Sequence, residues 1–307
     1  MKRGIVCVVW VLAGCGGGAS GPASNEDTPS PAVPSLSAKP LADNQISLSL
    51  TGVSTQASRY CIRQDNSEPL ASDACFGDSD SRLLQQRKSI ANPSETARAI
   101  FTAWVLSNTG TVSRHASVSL PGRTCSAAAY ASTANSSLPA VCVITSAGES
   151  VLRLEPVKAP TSAANFLRYV NQGFYDQTVF HRFFRGSLNF VQGGGFTHSN
   201  GGYVTKNSTL AAIALESTVQ TGLKNEAHTI AMARTSDPDS ATAGFFVNTG
   251  ANTGFDSTTT RDGYAVFGQV VHGTSAWASL LTTAVPGSGE VQNPASPLWL
   301  RWAYQIQ

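Results

Sequence analysis

From Val141 to Ile306 the chain breaks into short runs of alternating apolar and polar residues, a pattern that leaves room for just two helices. Val141 and Val143, a turn at Ser146-Ala147-Gly148-Glu149, and Val151-Leu152-Arg153-Leu154 spell a hairpin. A helix opens at Pro160-Thr161-Ser162, carries Ala163, Phe166, Leu167 and Val170 at helical spacing, and stops at Gly173. Thr178 to Phe184, His228 to Arg234, Gly244 to Asn248 and Tyr264 to Val271 read as strands, and Ser275 to Leu281 as a second helix. Leu298, Leu300, Trp302, Tyr304 and Ile306 form a closing strand. So many antiparallel strands leave exposed edges unless the sheet closes, so the pattern predicts a β-barrel with two covering helices. The 27 Gly and 15 Pro agree with a mainly β, turn-rich chain and argue against a bundle or coiled coil.

The N-terminus is of a different kind. Lys2 and Arg3 precede an apolar stretch from Ile5 to Leu12, too short to span a bilayer, and Leu12-Ala13-Gly14-Cys15 is similar to a bacterial lipobox. Residues 1–14 are therefore expected to be a signal peptide, with Cys15 carrying lipid and residues 15–45, rich in Gly, Ser, Pro and Ala, forming a flexible tether. Gly16 rather than Asp after the cysteine favours an outer membrane, facing the periplasm, by resemblance to lipoprotein sorting. With Cys7 removed and Cys15 acylated, Cys61, Cys75, Cys125 and Cys142 remain for an oxidising compartment, where two disulfides are expected. Three connectivities are open to four cysteines, and the local one, Cys61 with Cys75 and Cys125 with Cys142, is the expected one. A four-cysteine zinc site lacks C-x-x-C spacing.

Residues 46–135 read as a small β-sandwich. Ile46, Leu48 and Leu50 alternate with Ser47, Ser49 and Thr51 up to Gly52; Ala99 to Leu106 is a second strand, Ser107-Asn108-Thr109-Gly110 a turn, and His115 to Leu120 a third strand. The pattern, with Trp104 in a buried register, is similar to immunoglobulin-like modules of envelope proteins and carries no catalytic constellation. A net charge of +2 gives no footprint for nucleic acid. Gly193-Gly194-Gly195 lacks the Lys and Ser/Thr of a phosphate loop, and His115, His181, His198, His228 and His272 form no metal-ligand pair at helical spacing.

The C-terminal motifs together carry a family resemblance. Lys158-Ala159-Pro160, Asn165-Phe166, Gly173-Phe174-Tyr175, Phe180-His181-Arg182, Val191-Gln192-Gly193-Gly194-Gly195-Phe196, Gly222-Leu223, Thr229 to Arg234, Ser240-Ala241-Thr242, Phe245-Phe246-Val247-Asn248 and Gly263 to Gly268 resemble, in order, the landmarks of bacterial cyclophilins over residues 139–307. The resemblance implies an eight-stranded barrel and peptidyl-prolyl cis-trans isomerase activity on proline-containing peptides, here unfolded envelope proteins, with no metal or organic cofactor.

It also implies the site. An X-Pro amide rotates over a barrier of about 18–20 kcal/mol because the nitrogen lone pair is shared with the carbonyl. A fixed guanidinium that donates to the localised lone pair, beside an apolar pocket that grips the ring, lowers that barrier. Arg182 matches the catalytic arginine, Gln192 the substrate-backbone glutamine and Phe246 the pocket floor. Ala233 and Arg234 match the segment whose backbone pairs with peptide. Phe190, Phe255 and Tyr264 are placed by the same resemblance at the remaining substrate-binding positions. Two departures stand out. Nine residues separate Arg182 from Gln192, two more than is usual, so Phe190 either fills the pocket or the pocket lacks its phenylalanine; and Gly244 stands where a substrate-binding glutamine is common. These departures motivate an alternative, a proline-peptide-binding or scaffolding module with weakened catalysis.

Overall fold

The computed structural model describes residues 35–52 and 57–307, so the signal peptide, Cys15 and the tether as far as residue 34 lie outside the described residues. Six strands build the N-terminal module: β1 (Ser35–Pro40), β2 (Gln45–Thr51), β3 (Ala57–Arg63), β4 (Gln85–Ser89), β5 (Ala99–Ser107) and β6 (Val112–Leu120). They form two three-stranded antiparallel sheets, ordered β1-β2-β4 and β3-β5-β6. Leu36, Ile46, Leu48 and Leu50 of the first sheet meet Tyr60, Ile62, Phe101, Ala103 and Leu120 of the second in one core. Strand β1 lies inside the stretch expected to be tether. All six of its residues pair with β2, from Ile46 to Thr51, with Leu36 opposite Leu50, so a single buried leucine secures a strand whose composition is otherwise that of a linker. On the outer face of the second sheet, the Cys61–Cys75 disulfide pins the 64–84 loop over Trp104 and Leu106, with Phe76 fully buried beneath.

Downstream come α1 (Ala127–Ala131), β7 (Ala140–Thr145), β8 (Gly148–Leu154), α2 (Pro160–Asn171), β9 (Thr178–Phe180), β10 (Arg182–Arg185), β11 (Asn189–Gly193), β12 (Phe196–Ser199), β13 (Gly202–Thr205), α3 (Thr218–Thr221), β14 (Thr229–Met232), β15 (Phe245–Asn248), β16 (Val266–His272), α4 (Thr274–Ala284), β17 (Gly289–Gln292) and β18 (Leu298–Gln305). The expected strand from Thr178 to Phe184 is split at His181, and the split closes the barrel. Its first half, β9, pairs with β18, whereas its second half, β10, pairs with β11. At the corner the His181 N–H donates to Gln192 and its carbonyl accepts from Asn293. Going round, this one run is followed by β11, β15, β14, β16, β8, β7 and β18, an eight-stranded ring, with β17 added outside β10.

The two expected helices pack on the barrel interior. Pro160 sits in the first turn of α2, whose open amides at Thr161 and Ser162 donate to the Glu216 carboxylate, a cap from a distant loop. Its Phe166 meets Tyr175, Phe245 and Phe267 at ring distances of 5.1–5.3 Å, and Trp277, Leu280 and Leu281 of α4 complete the same core.

Residues 123–135, expected within the module, lie instead against the outer face of β7, β8 and β18. The disulfide Cys125–Cys142 and Ala129 of α1 pack there with Ile144, Val151, Trp302 and Tyr304, all buried. Module and barrel meet through the Ser94–Arg98 turn: Trp302 Nε1 donates to the Ser94 carbonyl (2.9 Å), Gln177 Nε2 to that of Glu95 (2.7 Å), and Arg98 pairs with Asp176.

Candidate active site

Period-two alternation sorts the strand side chains between the barrel core and its outer face. Val191, Phe245, Val247, Ile230 and Met232 point inward to the core, whereas Phe190, Phe246, Ala231 and Val266 form a separate outer cluster. Strand register then aligns a row across four strands, Arg182 beside Gln192, Gln192 beside Phe246, and Phe246 beside Ala231. The glycines after Gln192 serve this packing: a Cβ on Gly193 would stand 2.6 Å from the Phe180 ring, and one on Gly194, at φ +89°, 2.5 Å from the Ala243 carbonyl.

All eight residues predicted to act on substrate come together. Arg182, Phe190, Gln192, Ala233, Arg234, Phe246, Phe255 and Tyr264 line one small cavity of about 40 Å³. Four rings form a box: Phe190 lies 5.8 Å from Phe246 and 5.7 Å from Phe255, Phe246 lies 5.5 Å from Phe255 and 5.4 Å from Tyr264, and Phe255 lies 5.0 Å from Tyr264. The longer Arg182–Gln192 connection is absorbed at the β10–β11 hairpin tip, where Arg185 pairs with Asn189 and the Asn189 side chain bonds both backbone groups of Gly186. Phe190 therefore enters the pocket and is 2% exposed.

Phe255 ends a single 3-10 turn, Thr253–Phe255, within the loop after β15, and Tyr264 sits on the loop before β16, so their placement needs a scaffold. The Tyr264 N–H donates to the Phe255 carbonyl, and a buried chain of Asn252, Asn248, Asn225 and Asp256 side chains fastens both loops to β15. Arg234 lies 4.9 Å over the Tyr264 ring and donates to the Asp262 and Gly263 carbonyls, so its guanidinium holds the loop. The Ala233 N–H is taken by the Gly244 carbonyl, whereas the backbone N–H and C=O of Arg234 have no partner among the described residues. Gly244 offers no side chain to the pocket.

Arg182 lies with its guanidinium carbon 5.4 Å over the Phe190 ring, and its Nε donates to Glu290 Oε1 at 2.8 Å. That hydrogen bond, with a second from Gln292, holds the Glu290 carboxyl below the usual carboxylate range. Behind Arg182, burial and then the neighbouring guanidinium push His181 down to about 4. Neither the contact of Glu290 with Arg182 nor the burial of His181 was evident in the sequence. Glu290 is 108 residues from Arg182, on a four-residue strand whose one signal is Val291 flanked by two polar residues.

A family model described as cyclophilin type peptidyl-prolyl cis-trans isomerase/CLD matches residues 140–295. Peptidyl-prolyl cis-trans isomerase A of Dickeya dadantii is 40% identical over 168 residues, 54% of this chain and 84% of the relative. Peptidyl-prolyl cis-trans isomerase cyp18 of Streptomyces antibioticus is 46% identical over 132 residues, 42% of this chain and 75% of the relative. Among solved structures, a cyclophilin type isomerase of Cryptosporidium parvum aligns with TM-score 0.43 and 19% identity, over 55% of this chain and 98% of its own. Through its C-terminal barrel, the chain belongs to the cyclophilin-type peptidyl-prolyl cis-trans isomerases.

Proposed function

We propose that this isomerase acts on proline-containing segments of bacterial envelope proteins during their folding, held to a membrane by lipid on Cys15, with Arg182 as its catalytic residue. The observation that carries the reading is the Arg182 guanidinium standing over one wall of a four-ring aromatic box. Phe246 and its neighbours bind the proline ring by apolar burial. The backbone of Arg234 and the Gln192 amide hold the flanking peptide, so that the segment on the other side of the bond turns. As the amide twists, its nitrogen lone pair localises, and an Arg182 N–H donates to it. The ground-state nitrogen accepts poorly, so this bond strengthens towards the transition state and lowers the barrier selectively. No bond to the substrate is made or broken other than hydrogen bonds.

Of the two departures that favoured a binding module with weakened catalysis, the hairpin extension leaves the pocket phenylalanine in place, and Gly244 remains as the loss of one substrate contact. A charge-assisted hydrogen bond is worth about 1.5–3 kcal/mol, so Arg182→Ala lowers kcat/KM about tenfold to a hundredfold in a proline-isomerisation assay on the full chain. Equal rates for wild type and variant overturn the assignment. For the anchor, Cys15→Ser should abolish fatty-acid labelling and release the chain from membranes; label retained by the variant refutes that part.

A further inference from the structure

We infer that Glu290 is a positioning residue for the isomerase reaction, holding Arg182 from the added strand β17; the inference rests on the catalytic assignment of Arg182. Arg182 lies on the outer face of a strand with its side chain 41% exposed, where a long cationic side chain ordinarily samples many rotamers. Two contacts restrict it, and a third fixes one of its partners. The Phe190 ring supports the guanidinium face, the Glu290 carboxylate takes Nε, and Gln292 Nε2 donates to that same Oε1 at 2.7 Å, fixing the carboxylate in turn.

The geometry is set by the sheet. β17 pairs with β10 in a register that places Gln292 opposite Arg182 and Glu290 opposite Phe184. Val291 turns in against the barrel core, so Glu290 and Gln292 both face outward with Arg182. Glu290 does not line the aromatic cavity, so it acts through the arginine and not on the peptide. By engaging Nε it leaves both terminal amino groups of the guanidinium to the substrate nitrogen. A donor already aimed at the place where the lone pair develops needs no reordering during the reaction, which is where preorganised hydrogen bonds contribute most.

The test is a double-mutant cycle on the full chain, with kcat and KM measured separately on a proline peptide. Glu290→Ala is expected to lower kcat roughly threefold to tenfold with KM unchanged, because the donor is lost from alignment while the ring pocket is intact. Glu290→Gln, which keeps a carbonyl acceptor for Nε, restores most of that loss. In an Arg182→Ala background, Glu290→Ala has no further effect. An unchanged kcat in Glu290→Ala, beside a clear loss in Arg182→Ala, overturns the inference alone; no loss in Arg182→Ala overturns the catalytic reading beneath it. Equal losses from Glu290→Ala with and without Arg182 show that the residue acts elsewhere and also refute it. Thermal unfolding midpoints of the variants separate these outcomes from misfolding.

Discussion

The acid sensitivity of the barrel should turn on His181. Its ring lies 4.4 Å from that of Phe196, its Nδ1 is buried without a hydrogen-bond partner, its Nε2 sits 3.4 Å from Gln192 Nε2, and Arg182 follows it in the chain. Burial first, and the adjacent guanidinium second, bring it from 6.5 to about 4. Between those values the unfolded chain binds a proton that the folded protein excludes, so stability is full above about pH 6.5 and falls as the pH drops towards 4. Linkage puts the loss at about 2 kcal/mol between pH 7 and pH 5, and about 3 kcal/mol by pH 4. His181→Gln removes this titration while keeping a neutral polar side chain. Carboxylates titrate alike in both proteins, so the difference between their pH profiles isolates the imidazole. In urea unfolding, with a slope of about 3 kcal/mol per molar, the wild-type midpoint should fall by about 0.6 M more than that of the variant between pH 7 and pH 5. Parallel profiles would falsify the account of a neutral, desolvated His181 behind the arginine.

Three further expectations follow from particular contacts. Replacing Cys125 and Cys142 by serine opens a cross-link between positions 17 apart and should cost about 3 kcal/mol, read as a lower unfolding midpoint under oxidising conditions; no change would mean that the packing of α1 alone secures the segment. Gly244→Gln should raise kcat/KM by up to about tenfold by supplying one side-chain contact to the peptide, with the Ala233 methyl, a tight 3.3 Å from the new Cβ, giving way by a few tenths of an ångström; unchanged kinetics in a folded variant would remove Gly244 as the cause of any weakness. Burial raises the Asp176 carboxyl despite its ion pair with Arg98, so Arg98→Ala, which leaves that desolvated group with less compensation, should destabilise the module–barrel junction by about 1–2 kcal/mol with the isomerase rate unaltered. A parallel fall in rate would show that the junction reaches the aromatic box.

What the sequence made legible was wherever local pattern and tertiary need coincide. Pro160 opening α2, the alternation from Leu298 to Gln305 and the glycines beside Gln192 each satisfy a local rule, and each is found where that rule puts it. Strands β1 and β17 escaped because their stability is borrowed. One buried leucine in β1 and the partly buried Val291 in β17 carry little periodicity, and backbone pairing to a neighbour supplies the rest. Proximity in sequence places residues 123–135 with the module, yet the Cys125–Cys142 bond and the Tyr304 hydroxyl, which accepts the Cys125 N–H, attach them to the barrel.

The site was legible only through its motifs, and the reason lies in the geometry of a barrel wall. Apolar residues at successive positions, such as Phe190-Val191 and Phe245-Phe246, do not say which face each takes, and alternation alone assigns both to a core. Register decides: with Val191 and Phe245 committed to the interior, Phe190 and Phe246 are forced outward, where α2 and α4 do not reach them. There they pack on each other, on Phe184 and on Phe255 and Tyr264, which leaves them nearly buried at 2% and 3% exposure yet bordering a cavity. A proline ring is an occupant of the kind such a surface favours, apolar, compact and already restricted in shape, so little conformational freedom is lost when it binds. On the proposed reading Arg182 beside it is the aimed donor, and the reaction only turns a bond that such a donor makes easier to turn.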